Sequence, residues 1–139
     1  MGLSEQNIEK LKIMVVNDDE DTLRLYKDYF SKRGYHVLKA YLAAENVMRD
    51  VERESPDIYL IDHRLPGTKD GIDLAAEILD EYPSAPILFV TANEQLKLQL
   101  TKHRIFDGKK IKVLVKPVKL HEIENYVLDL IRERPYPLA

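Results

Sequence analysis

Four short polar clusters stand directly after apolar runs. Asn17-Asp18-Asp19-Glu20-Asp21 follows Ile13-Met14-Val15-Val16, and Asp62-His63-Arg64 follows Ile58-Tyr59-Leu60-Ile61. Thr91-Ala92-Asn93 follows Ile87-Leu88-Phe89-Val90, and Lys116-Pro117 follows residues 111–115. Carboxylates crowded together repel a bare anion but suit a hard cation with oxygen ligands. Mg²⁺ fits best, because it keeps several waters and shares its remaining positions with substrate phosphate oxygens. Asp18 and Asp62 could bind it jointly, leaving Asp62 ionised and able to attack phosphorus and form an acyl phosphate. The three equatorial oxygens of the transferring group then need partners: the metal, the Thr91 hydroxyl and the Lys116 ammonium. Taken singly, each residue has a plainer use. Asp18 or Asp19 can cap a helix, Asp62 can sit in an ordinary loop, and Thr91 can cap the helix after it. Only the combination points to phosphoryl transfer.

These groups meet only if the apolar runs lie side by side. Residues 13–16 form a continuous apolar run, as expected of a strand buried on both faces. Leu23, Tyr26 and Phe30 follow at helical spacing up to Gly34, a natural C-cap. Residues 35–39 are expected to form a second strand and residues 43–54 a helix stopped by Ser55-Pro56. The third strand is 58–61. Ile72, Ala75, Ala76 and Leu79 mark a third helix ended by Tyr82-Pro83. The fourth strand, 87–90, leads into a fourth helix over 93–103, and the fifth strand covers 111–115. Ile123, Val127, Leu130 and Ile131 line a last helix, and Arg134-Pro135-Tyr136-Pro137 ends the fold. Strands alternating with helices imply parallel pairing and right-handed crossovers, with helices on both faces. Ligands of such sheets bind beyond the carboxyl ends of the strands, where all four clusters fall.

The bulk composition narrows the function classes. The 139 residues, 45% hydrophobic and 32% charged, suit one soluble domain. It is expected to span residues 12–134, with an extension over 1–11 and a tail over 135–139. A net charge of −3 without a basic block argues against direct nucleic-acid binding. No apolar run is long enough to cross a bilayer, so no membrane insertion is expected. The absence of cysteine leaves no disulfide or thiolate metal site and fits the cytoplasm. His36, His63, His103 and His121 lack metal-ligand spacing and are expected to be structural or solvated. Lys97, Lys102, Lys109, Lys110 and Lys112 read mainly as a solvated face.

Four fragments together resemble the receiver domains of two-component response regulators. Residues 12–19 are similar to that family's first strand and acidic pair, and Ile61-Asp62-His63-Arg64-Leu65-Pro66 to its phosphoacceptor segment. Val90-Thr91-Ala92 and Val115-Lys116-Pro117 resemble its threonine-alanine and lysine-proline pairs. The resemblance runs from about Lys12 to Arg134. It implies a flavodoxin-like (βα)5 α/β fold with parallel strand order 2-1-3-4-5. Asp62 would be the phosphoacceptor, assisted by Thr91 and Lys116. Asp18, Asp62 and the Arg64 backbone carbonyl would hold Mg²⁺, and the Lys116–Pro117 bond would be cis. A histidine kinase or phosphotransfer protein would donate the phosphoryl group. A downstream protein partner, or a second copy in a homodimer, would meet the face of the fourth helix, fifth strand and fifth helix. Such a domain assists its own phosphorylation and dephosphorylation but is not a turnover enzyme.

Several positions depart from the family pattern. Asn17 replaces the first acid of the pair and predicts weaker Mg²⁺ binding; Asp19 compensates in part or serves as an N-cap. The loop 65–71 is one residue longer than usual. Val113 occupies the position, three before the lysine, where the family usually has a ring that turns inward, so the signalling face is expected to respond to Thr91 by another route or only weakly. Arg64, two residues past Asp62, is expected to shield the acyl phosphate and slow its decay; Asn93 takes the matching position past Thr91. These departures support an alternative, a degenerate receiver acting as a phosphate-independent protein-interaction module. A phosphohydrolase of the haloacid dehalogenase type fits poorly, because the threonine of Asp19-Glu20-Asp21-Thr22-Leu23 falls one residue early. A flavodoxin is disfavoured by the acidic loop after the first strand.

Overall fold

The computed structural model describes residues 11–132. The expected C-terminal stop at residues 134–137, the tail over 135–139 and nearly all of the N-terminal extension lie outside the described residues. Five strands, β1 (Lys12–Val16), β2 (His36–Tyr41), β3 (Ile58–Ile61), β4 (Ile87–Thr91) and β5 (Ile111–Val115), form one parallel sheet in the order β2-β1-β3-β4-β5. The helices are α1 (Glu20–Lys32), α2 (Val47–Glu54), α3 (Gly71–Glu81), α4 (Leu96–Leu100) and α5 (Leu120–Arg132), with a 3₁₀ turn at Arg104–Phe106. This is the flavodoxin-like order expected from the sequence.

Period-two alternation divides each buried strand between two cores. Met14, Val16, Tyr59, Ile61, Ile87 and Phe89 pack on the side of α2, α3 and α4. Their neighbours Ile13, Val15, Ile58, Leu60, Leu88 and Val90 pack against α1 and α5. β1, β3 and β4 leave no apolar face to solvent and so read as unbroken apolar runs.

Boundaries differ from the expectations where local backbone chemistry intervenes. The second strand is displaced to 36–41 because its register with β1 shifts between Ile13 and Val15, which accommodates an extra residue on β2. α2 starts at Val47 rather than 43, since Asn46 takes a left-handed conformation (φ 76°) that interrupts helical geometry. The fourth helix is cut to five residues. After Leu100 the chain continues through i→i−3 bonds, Thr101 N to Leu98 O and His103 N to Leu100 O, and extends at His103. Gly34 ends α1 as expected, at φ 99°.

Glu124 on α5 is a polar anchor in the second core. It is buried and accepts from the Tyr29 hydroxyl (2.8 Å), the Tyr35 hydroxyl (3.0 Å) and Arg33 Nε (2.7 Å). It ties α5 to the end of α1 and the start of β2. Burial and the bond to Glu124 push the Tyr35 phenol well above its usual range. Replacing Glu124 by Ala strands two tyrosine hydroxyls at once, so urea unfolding should report a loss of about 2–4 kcal/mol. Arg33→Ala should cost less than about 1 kcal/mol, since the Arg33 side chain is 55% exposed.

Candidate functional site

The carboxyl ends of β1, β3, β4 and β5 bring the polar clusters to one edge of the sheet. Asp62 leaves the end of β3 with its N–H donating to the Val16 carbonyl (2.8 Å), which sets it beside the end of β1. The residue is only 8% exposed, and its carboxylate accepts one long bond from the Arg64 N–H (3.3 Å). Burial raises its pKa above the ordinary value. The Lys116 charge and the Arg64 N–H work the other way, Asp18 adds to the rise, and His63 opposes it. Asp18, past the neighbouring strand β1, and Lys116, past β5 beyond β4, therefore both act on the Asp62 carboxylate.

The first loop is built around Asn17. It is buried, its N–H donates to the Tyr41 carbonyl (2.9 Å), and its Oδ1 accepts from the Asp19 N–H (2.9 Å). Asp18, next in the chain, stays exposed. Asp19 occupies the N-cap position of α1, but its carboxylate accepts from the Thr22 hydroxyl (2.6 Å) rather than a backbone N–H. That hydroxyl chiefly lowers the Asp19 pKa.

Thr91 closes β4, fully buried. Its Oγ1 accepts from the Asn93 N–H (3.0 Å) and its carbonyl accepts from the Lys116 N–H (2.7 Å), so β4 and β5 are held together at the site. The Lys116–Pro117 bond is cis, as the resemblance implied. Arg64 is exposed, and its side chain makes no hydrogen bond or ion pair among the described residues. Val113 pairs with Phe89, one full strand repeat before the Thr91–Val115 pair, and packs into the core on the α4 side rather than into the site.

Two contributors were missed by the sequence reading. Gly71 opens α3 against the backbone after Asp62: its N–H donates to the His63 carbonyl (2.8 Å), and a Cβ there would lie 2.4 Å from the Asp62 carbonyl oxygen. Only glycine permits that approach. The legible signal was Asp70-Gly71 ahead of the helical apolar pattern, where Asp70 and Asp73 form a capping box. His63, expected to be structural or solvated, lies half-buried at the site with Nδ1 3.4 Å from Asn93 Nδ2. Asn93 Nδ2 also donates to Gln99 Oε1 (3.2 Å) on α4. Nothing local to the sequence says which way that ring turns.

The donor set suits a hard divalent cation only sparingly. It offers the Asp18 and Asp62 carboxylates and backbone carbonyl oxygen. Asn17 Oδ1 is engaged by the Asp19 N–H and the Asp19 carboxylate by Thr22. Among the described residues no cluster of three or more acidic, His or Cys side chains is poised for a metal. Two carboxylates still match the habit of Mg²⁺, which completes its shell with water and phosphate oxygens.

A model of the response regulator receiver domain matches residues 13–128, and the chain belongs to that family. Receiver domains are signalling domains of two-component systems, generally phosphorylated on an aspartate and not turnover enzymes. The chain is 32% identical over 84 residues to the alkaline phosphatase synthesis transcriptional regulatory protein PhoP of Bacillus subtilis (strain 168), covering 60% of this chain and 34% of that protein. It is 28% identical over 127 residues to the transcriptional regulatory protein RprY of Bacteroides fragilis (strain YCH46), covering 89% and 50%. The chain thus spans half or less of the length of these curated relatives. The solved CheX–CheY–BeF3–Mg²⁺ complex from Borrelia burgdorferi matches with a TM-score of 0.74 at 22% identity, over 88% of this chain and 90% of that one.

The Asp62 shift has a consequence for stability. Its folded pKa lies above its unfolded one, so the folded state holds the proton more tightly and loses stability as pH rises between the two values. At neutral pH with EDTA present, Asp62→Asn should raise the unfolding free energy by about 0.5–2 kcal/mol. The gain should shrink as the pH falls through the carboxylate range. A neutral or destabilising effect in thermal melts at both pH values would contradict this electrostatic picture.

Proposed function

We propose that residues 12–134 form a receiver that accepts a phosphoryl group on Asp62 from a histidine kinase or phosphotransfer protein and signals to a protein partner by a shift of conformer population. The observation that carries this reading is the Asp62 carboxylate, buried at the strand ends between Asp18, which raises its pKa, and Lys116, which lowers it. An Asp62 oxygen attacks phosphorus, the bond to the donor's leaving group breaks, and that group departs with the electron pair. Lys116 pairs with one phosphoryl oxygen, and the Thr91 hydroxyl donates to another while its oxygen keeps the Asn93 N–H. Mg²⁺, held by Asp18, Asp62 and the Arg64 carbonyl, would supply the positive charge that keeps both carboxylates ionised beside the phosphoryl oxygens. A related CheY was solved with BeF3 and Mg²⁺, which supports the assignment by analogy. Asn17 adds no charge, so Mg²⁺ should bind more weakly than to a receiver with three free carboxylates. The exposed Arg64 side chain is free to cover the acyl phosphate and slow hydrolysis.

Incubation with Mg²⁺ and acetyl phosphate should add the mass of one phosphoryl group, abolished by EDTA and by Asp62→Asn. Thr91→Ala and Lys116→Ala should each slow formation by about 10–1,000-fold. Arg64→Ala should shorten the phosphoform's half-life, whereas a wild-type half-life of seconds would rule out shielding. With no adduct and no spectral response to beryllofluoride, the domain is better described as a phosphate-independent interaction module.

A further inference from the structure

A hollow opens at the amino ends of β3 and β4, the opposite end of the sheet from Asp62. Its volume is ≈ 310 Å³, at the small end of the ~300–1,000 Å³ range of clefts that hold ligands, which suits one long side chain. Pro56 and Pro86 line it, with Asp57, Tyr59 of β3 and Tyr82 just past α3. Tyr59 is only 2% exposed, and its hydroxyl makes no hydrogen bond among the described residues. No side-chain oxygen or nitrogen there is both sealed from solvent and unpartnered, so the hydroxyl must be the part of Tyr59 that opens into the hollow. Burial, with Tyr82 and Asp57 adding to it, pushes this phenol well above its usual range and keeps it protonated. Carboxylates crowd the same pole. Glu52 and Glu54 lie in the last turn of α2, Asp80 and Glu81 in the last turn of α3, and Asp57 at the entry to β3. Helix carboxyl ends disfavour acids, and the last turn of α3 holds no basic residue to offset them. Glu52, Asp80 and Glu81 are exposed and make no ion pair among the described residues, whereas Glu54 pairs with Arg53. Asp57 is exposed too, and accepts from the Lys12 N–H (2.8 Å).

We propose that this hollow takes an arginine side chain from a basic segment of a partner protein, with the guanidinium bonded to the Tyr59 hydroxyl oxygen and the Asp57 carboxylate. A buried hydroxyl left without a partner is costly, so an apolar side chain would fill the hollow poorly. A guanidinium carries its donors in a rigid fork and reaches two acceptors at once. Its stem packs on Pro56 and Pro86, and its plane can lie on the Tyr82 ring. Further Lys or Arg residues of the same segment meet Glu52, Asp80 and Glu81. A nucleic-acid backbone is repelled by the same carboxylates. A divalent cation would find too few ligands, since Asp57 is the one carboxylate that lines the hollow. The hollow shares no residue with the Asp62 edge, so it gives the domain a contact beyond phosphoryl transfer.

A display library of random peptides selected against the full chain tests it. Enriched sequences should carry an arginine with further basic residues near it. Amide shifts on adding an enriched peptide should centre on Asp57, Tyr59, Tyr82 and Ala85. Replacing its arginine by citrulline keeps the shape and removes the charge, and should weaken binding at least about tenfold. Tyr59→Phe, which removes only the hydroxyl, should do the same, with melting curves to show that the variant folds. Asp80→Lys with Glu81→Lys, both at exposed positions, should weaken the peptide and lessen its dependence on salt. No enrichment, enrichment of acidic or neutral peptides, shifts centred on Asp18 and Asp62, or binding indifferent to citrulline or to Tyr59→Phe would overturn the proposal. Self-association in sedimentation that the double lysine variant abolishes would assign the hollow to a second copy and overturn it as well. Binding is measured without a phosphoryl donor, so a chain that fails to label at Asp62 can still bear the proposal out.

Discussion

A parallel sheet covered on both faces leaves polar side chains only one place to go. β1, β3 and β4 bury every residue but Lys12, and their alternate residues feed two separate helical layers. Parallel pairing then points all five strands the same way, so each strand delivers its first polar residues to one edge. Asp18, Asp62, Thr91 and Lys116 are far apart in sequence and share that edge because the backbone ladder leaves them no alternative. Backbone bonds continue past the strands to lock the arrangement, from Asp62 to Val16 and from Lys116 to Thr91.

Concentrating charge at a half-dry edge is costly, and the surrounding residues can be understood as managing it. Desolvation and Asp18 make Asp62 hold its proton more tightly, while Lys116 and the Arg64 N–H offset them. Asn17, where the family usually has an acid, spends its carbonyl on the Asp19 N–H and so fixes the loop instead of adding a third charge. Gly71 lets α3 start against the backbone of Asp62 and His63, which helps seal the site's floor.

The far side of the sheet edge is built with less constraint. β5 is an edge strand whose residues are only partly covered, and α4 beside it is one turn and a half long. Asn93 nonetheless links this region to the acidic edge: it contacts His63, donates to Gln99 on α4, and is held through its N–H by Thr91. These polar contacts join the Thr91 end of β4 to α4 without the aromatic ring that Val113 lacks.

Strand identity, parallel pairing and the residues at the carboxyl edge were legible in the sequence pattern, and the strand order came from the family resemblance. Runs such as Ile13-Met14-Val15-Val16 and Ile87-Leu88-Phe89-Val90 are unbroken because both faces are buried, and the polar residue after each run marks its exit from the core. Element ends were less legible. The extra residue on β2 depends on register with β1, the late start of α2 on one left-handed residue, and the truncation of α4 on competing i→i−3 bonds. Those choices turn on a few kcal/mol between alternatives that local pattern does not separate. The contact of His63 with Asn93 and the close approach at Gly71 could be decided only by tertiary structure. Each depends on how whole elements pack rather than on any residue's own preference.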